Sequence, residues 1–154
     1  MIREDTGSIF DCNAQVLVVP VNCAGAMGKG LALEFRQRFP ANYALYRLAC
    51  SRKLLHPGAV CIWHGLPSEL PGYIINAATK DHWRSPSKME YVLSALYYIK
   101  NNIEDLKLQS IAIPALGCGL GGLDWKLVRP SIHAVLGGLK DVDIILFPPQ
   151  GEAR

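Results

Sequence analysis

Thr79-Lys80-Asp81-His82-Trp83-Arg84 sets an amine, a carboxylate, an imidazole, an indole and a guanidinium side by side. A partly desolvated lysine acts as a base or nucleophile, including toward C1 of a sugar. The Trp83 indole can stack on a base and the Arg84 guanidinium can pair with a phosphate. His82 is a candidate general acid or base. Each has a plainer alternative. Most lysines are solvated surface charges, and Trp83 fits equally well packed on the helix that follows.

Two glycine-rich stretches lie on either side of this run. The first is Val21-Asn22-Cys23-Ala24-Gly25-Ala26-Met27-Gly28-Lys29-Gly30, and the second is Gly117-Cys118-Gly119-Leu120-Gly121-Gly122. Each follows an apolar, β-like run and leads toward a helix-like segment. Backbone N–H groups without side chains can approach an anion closely, and a helix N-terminus adds positive potential. One such loop fits a mononucleotide; two on one small sheet imply a nucleotide-like diphosphate. The first loop is not a P-loop, because Gly30 follows Gly28-Lys29 and Cys23 stands where the earlier glycine belongs. Its GxxGxG order is not the dinucleotide fingerprint either. Asn22 closes the first strand, where its amide can bond a ribose hydroxyl or, equally, fold onto its own loop. Cys23 and Cys118 lie within the loops, where small residues that let backbone approach a ligand are a better reading than thiol nucleophiles.

The elements that must position these residues follow from periodicity. Residues 15–21 are valine-rich and predict a buried strand. Leu31, Phe35 and Phe39 mark a helix over 30–39 that Pro40 ends. A second short helix is predicted over 42–50 with Asn42 as its cap. Strands are expected over 59–63, 73–77, 110–114 and 143–147, with a loop at 66–72. Ser87-Lys88-Met89-Glu90 reads as a capping box opening a long helix, whose buried stripe is Met89, Val92, Leu93, Leu96, Ile99 and Ile103. Asp124 caps a helix over 125–136. Alternating strands and helices imply an α/β fold, a three-layer α/β/α sandwich around a mostly parallel, mixed sheet. Ligands in such sheets sit at the carboxyl ends of strands, which is where both glycine loops and Lys80 fall.

The totals narrow the class. The 154 residues suit one domain, 1–154, with a single core. Half the residues are apolar and 19% are charged, a globular balance. No apolar run reaches membrane-span length and no signal-peptide pattern opens the chain, so a cytoplasmic protein is expected. The five cysteines form no CxxC and no zinc-finger-type cluster, so reduced thiols and neither metal nor cofactor are expected. A net charge of +3 permits a polyanionic partner without demanding one.

Residues 21–32, the 79–84 run and the stretch Ile113-Pro114-Ala115-Leu116-Gly117-Cys118-Gly119-Leu120-Gly121-Gly122-Leu123-Asp124-Trp125 together resemble a macrodomain. More narrowly they are similar to the DNA ADP-ribosyl glycohydrolase antitoxins of the DarG type, over nearly the whole chain. The resemblance implies an ADP-ribose site. Ser8 and Ile9 would meet the adenosine end, and Ser8 stands where many relatives carry an acid for the adenine amino group. Asn22, Gly28, Lys29 and Gly30 would hold the distal ribose, and residues 117–122 would wrap the diphosphate. Lys80 matches the catalytic lysine, with Thr79, His82, Trp83 and Arg84 around the nucleobase and DNA strand. The implied reaction frees ADP-ribose from thymine in single-stranded DNA and reverses a cognate DNA ADP-ribosyltransferase toxin, with the protein acting as a monomer. Related eukaryotic enzymes pair their lysine with an aspartate at the position of Gly121, a layout this sequence lacks. Two alternatives stay open: an ADP-ribose reader without turnover, and a hydrolase of ADP-ribose esters on protein carboxylates.

Overall fold

The computed structural model describes residues 1–150; the last four residues of the expected unit 1–154 lie outside them. Six strands form one sheet: β1 (Ile2–Glu4), β2 (Val16–Val21), β3 (Val60–His64), β4 (Tyr73–Ala78), β5 (Ser110–Pro114) and β6 (Asp143–Phe147). Their order is β1-β6-β5-β2-β4-β3. Every pairing is parallel except β3 with β4, which is antiparallel. The helices are α1 (Gly30–Arg38), α2 (Pro40–Ser51), α3 (Met89–Asp105) and α4 (Trp125–Leu136).

The period-two pleat sorts the strand side chains into two cores. Val16, Val18, Ile75, Ile111, Ile113, Ile144 and Leu146 face α3 and α4, against Val92, Leu96, Ile99, Val128 and Ile132. Leu17, Val19, Val21, Ile74, Ala112 and Ile145 face α1 and α2, against Phe35 and Tyr46. A sheet buried on both faces needs apolar residues at successive strand positions, which explains the near-continuous apolar runs. The three-layer sandwich therefore matches the expectation from alternation.

Two expected caps are corrected. Asn42 does not start a helix: α2 begins at Pro40, and Asn42 lies fully buried inside it. Proline at a first helical position forfeits only an N–H that would be unpaired anyway, so Pro40 ends α1 and opens α2 at once. Asn42 and Asn76 on β4 exchange side-chain bonds of 3.1 and 2.8 Å, and Asn76 also donates to the Cys61 carbonyl at 3.0 Å. Ser87 is not the cap of α3 either. Lys88 takes that place without a side-chain bond, because the Ser87 hydroxyl turns inward to Thr79. Asp124 does cap α4, accepting from the Lys126 N–H at 3.0 Å. Strand β1 and a 3-10 turn at Ile9–Asp11 had no prediction, since three residues are too few to show a period.

The chain leaves β2 toward β4 and β3 on one side, and runs from β5 to β6 on the other. Such a switch point opens a crevice at the carboxyl strand ends. The β2–β4 ladder runs the full length of β2, Val16 to Val21, whereas β2 and β5 pair only at Val16–Ile111 and Leu17–Ala112. The two central strands thus part toward their carboxyl ends. Pro20 and Pro114 both lie beyond the last β2–β5 pair, so neither removes a donor from that seam.

Candidate functional site

The crevice is a cleft of about 1150 Å³, somewhat larger than the roughly 300–1,000 Å³ usual for small-molecule sites. A smaller groove of about 570 Å³ lies at the other end of the sheet, before β5 and β6, lined by Lys100, Lys107, Lys140, Glu104 and Asp141. The large cleft collects the carboxyl ends of β2, β4, β5 and β6.

The first loop is built around Asn22. Its Oδ1 accepts from the N–H groups of Ala24 (3.0 Å) and Ala26 (3.3 Å), and its Nδ2 donates to the Ala26 carbonyl at 2.9 Å. The buried Tyr46 hydroxyl sits 2.7 Å from the Asn22 carbonyl oxygen and 2.8 Å from Oδ1, and shares its one hydrogen between them. Asn22 is only 5% exposed. Most of its bonding capacity is spent shaping the loop, and one Nδ2 hydrogen remains for a ligand. Gly25 and Gly30 have φ of +84° and +55°, the left-handed region that a side chain strains to enter. Burial pushes the Cys23 thiol up to about 12, with Cys50 and Asp81 adding to the rise. A thiol held neutral is a poor nucleophile, so Cys23 fits the expected role of a small residue in the loop.

Lys80 rides on a strap, residues 79–88, tied to both loops. Thr79 N–H donates to the Val21 carbonyl at 3.1 Å, and Cys23 N–H to the Asp81 carbonyl at 2.8 Å. At the far end Ser87 N–H donates to the Gly121 carbonyl at 3.0 Å, and the Ser87 hydroxyl bonds Thr79 Oγ1 at 3.3 Å. Lys80 Nζ donates to the Trp83 carbonyl at 3.2 Å, which leaves two ammonium hydrogens uncommitted. The His82 and Trp83 rings stack with centroids 3.7 Å apart and planes 32° apart. Arg84 N–H donates to His82 Nδ1 at 3.2 Å, so a neutral His82 carries its hydrogen on Nε2. Trp83 is 51% exposed, so it does not pack beneath α3.

The second loop is shaped by close approach. A Cβ at Gly121 would fall onto Ser87 Oγ and come within 2.6 Å of the Gly117 carbonyl oxygen. At Gly117, φ is +73° and a Cβ would meet Leu123 Cδ1 at 2.7 Å. Gly119, by contrast, has open space around it. A side chain at position 121 is therefore excluded by the Ser87 side of the strap and the Gly117 carbonyl.

Of the residues expected at the site, Ser8, Ile9, Asn22, Gly28, Lys29, Gly30, Thr79, Lys80 and Trp83 line the cleft. Gly117, Gly119, Leu120 and Gly121 join them from the second loop. His82, Arg84, Cys118 and Gly122 belong to the same segments but do not line it. Ser8 spends its hydroxyl accepting from Phe10 N–H at 3.2 Å, which caps the 3-10 turn. Sequence reasoning missed Phe10, Phe147, Pro148, Pro149 and Gln150, which also line the cleft, Phe10 and Phe147 in one apolar cluster with Ile9. The signal for the last four was present, since Phe147 ends a parallel strand and residues 148–150 follow it, as the other site segments do.

Among the described residues, no helix is long and apolar enough to cross a membrane. The Macro domain family model matches residues 18–132. Among solved structures, the macrodomain of Thermus aquaticus DarG is 40% identical with a TM-score of 0.93, over 97% of this chain and 99% of that one. The structure titled Thermosipho africanus DarTG in complex with ADP-ribose is 32% identical with a TM-score of 0.88, over 96% of this chain and 41% of that one. The Mycobacterium tuberculosis protein named DNA ADP-ribosyl glycohydrolase is 38% identical over all of this chain, which spans 44% of its length. The fold, the placement of the two glycine loops and the family match agree: this chain belongs to the Macro domain family.

Proposed function

We propose that this macrodomain is a hydrolase that removes ADP-ribose from thymine bases of single-stranded DNA. It acts as the antitoxin to a DNA ADP-ribosyltransferase, in the cytoplasm and as a monomer, with 1–154 as one unit. The observation that carries this reading is the strap: Lys80 opens into the same cleft as both glycine loops, and its strap neighbours Asp81 and Ser87 are bonded to one loop each. The relatives named above, a DNA ADP-ribosyl glycohydrolase and an ADP-ribose complex, support the choice of substrate.

In this reading the backbone N–H groups of Gly117, Gly119 and Gly121 meet the diphosphate, where a glycine lets the anion approach closest. Gly28, Lys29, Gly30 and the remaining Asn22 hydrogen hold the distal ribose. Phe10 and Phe147 enclose adenine, and Ser8 and Ile9 line that end. The Lys80 amine meets C1 of the distal ribose. The bond from C1 to the thymine nitrogen breaks, water supplies the hydroxyl that ends on C1, and thymine leaves with a proton. Thr79 seats Lys80, the His82–Trp83 pair offers a stacking face for a base, and Arg84 lies at hand for a phosphate. Cys118 and Gly122 keep the second loop in shape from outside the cleft.

The test is release of ADP-ribose from a modified oligonucleotide and, side by side, from a protein modified on carboxylates. Release from the oligonucleotide that is lost in Lys80→Ala, with ADP-ribose binding by calorimetry retained, is the expected result. Binding without release would make the domain a reader, and release from protein alone would move the substrate. Borohydride trapping separates a covalent lysine from a base: a reduced adduct on Lys80 marks the covalent route.

A further inference from the structure

The positive charge of this chain is not spread evenly. Residues 29–53 hold six Lys or Arg (Lys29, Arg36, Arg38, Arg47, Arg52, Lys53) and one acid, Glu34. The rest of the chain holds ten basic and twelve acidic residues. The net charge of +3 is therefore a surplus on α1, α2 and their flanks set against a slightly acidic remainder.

The geometry sharpens this. The Arg36 guanidinium lies 4.7 Å from the centroid of the Tyr43 ring, and that of Arg47 lies 5.6 Å from the same ring. One tyrosine thus gathers two cations from two helices. Arg38 stacks on Phe10 at 4.3 Å and pairs with Glu34 at 3.7 Å, which uses the one acid of the segment. Among the described residues, Arg36, Arg47, Arg52 and Lys53 have no carboxylate partner. Guanidiniums already held over rings have given up side-chain freedom before any anion arrives, which lowers the cost of binding one. The face also runs into the cleft, since Lys29, Gly30 and Leu31 at the start of α1 line it.

We propose that the α1–α2 face is a track for the sugar-phosphate backbone of single-stranded nucleic acid, with Arg36, Arg47 and Arg52 as its phosphate contacts. It rests on the DNA reading of the cleft and adds where the strand beyond the modified base lies. Contacts of this kind carry no sequence information and make affinity fall with salt.

The probe is an unmodified 20-nucleotide oligothymidylate, titrated by fluorescence anisotropy from 50 to 300 mM KCl. Each phosphate contact on a single strand contributes about 0.7 to the slope of log affinity against log salt. Arg36→Gln/Arg47→Gln should flatten that slope by about 1.4 and weaken binding roughly 25-fold at 0.1 M salt. Arg52→Gln, which touches no ring, should flatten it by about 0.7 and keeps the test open if the double variant melts early. Lys100→Gln/Lys107→Gln removes the same charge from the far groove and should change little. Equal losses from both double variants, or none from any, would overturn the track. Free ADP-ribose should bind all variants alike. Failure of the glycohydrolase reading is distinct: it shows as no ADP-ribose released by the unaltered chain from modified DNA. Release that continues while oligonucleotide affinity ignores the α1–α2 face overturns the inference alone.

Discussion

Gly121→Ala is a small change with a calculable effect. The added methyl meets Ser87 Oγ, Ser87 Cβ at 2.8 Å and the Gly117 carbonyl oxygen at 2.6 Å. Two of these are not free ends of flexible side chains. Ser87 is held at both its N–H and its hydroxyl, and the Gly117 carbonyl accepts the Leu123 N–H at 2.8 Å. Forcing a methylene-sized group into a packed site costs about 1–3 kcal/mol. For a domain of this size that lowers Tm by about 2–12 °C. The clash also pushes the second loop away from the strap, so ADP-ribose affinity should fall more than Tm alone implies. Gly119→Ala is the matched control. Nothing lies within 4 Å of its Cβ and its φ is not positive, so its stability should stay within about 0.5 kcal/mol of the parent. Adding Ser87→Gly to Gly121→Ala should recover part of the loss, because it removes two of the three contacts. Differential scanning calorimetry and isothermal titration of ADP-ribose read both quantities. A Gly121→Ala protein that melts within a degree of the parent and binds as tightly would refute the argument that close approach shapes this loop.

Asn76→Ala strands the buried amide of Asn42 and should cost about 1–3 kcal/mol or more. Asn42→Ala/Asn76→Ala should cost less than the two single changes summed, which urea denaturation of the four proteins measures. Cys23 supplies a pH prediction. Its folded-state value, about 12, stands above the ordinary 9.0, so its contribution to stability is complete below pH 9. It should drain away as pH rises from about 9 toward 12, since the unfolded chain ionises first. Cys12, Cys50 and Cys61 are raised by burial too and act in the same direction. Cys23→Ala should flatten the fall in urea midpoint between pH 8 and pH 10; an unchanged slope would count against a buried neutral thiol.

Much of the site was legible because parallel sheets place ligands by rule. Val21, Ala78, Pro114 and Phe147 end four parallel strands at one rim, so the residues after them had to meet. What pattern left open was how side chains there are spent. Asn22 was equally suited to ribose or to its own turn, and the structure gives it four bonds inside the loop and to Tyr46. Ser87 followed by Glu90 had the form of a capping box, yet its hydroxyl faces Thr79, because a buried hydroxyl must find a partner and Thr79 is the one at hand. Asn42 looked like a helix start because asparagine favours caps, but it pairs with Asn76, 34 residues away.

The residues by themselves determine the class of this protein. Valine-rich runs, helical stripes and glycine loops after strands are local signals, and they suffice for an α/β/α sandwich with two glycine loops on one rim of the sheet. Lys80 stands out locally for the same reason. The tertiary structure decided what depends on distant partners. It tied the strap to both loops, barred a side chain at Gly121 and parted β2 from β5 beyond Leu17. It also brought Arg36 and Arg47 onto one tyrosine from two helices. Period and propensity act over a few residues, whereas a buried hydrogen bond, a steric exclusion or a stacked cation depends on what the fold delivers from elsewhere in the chain.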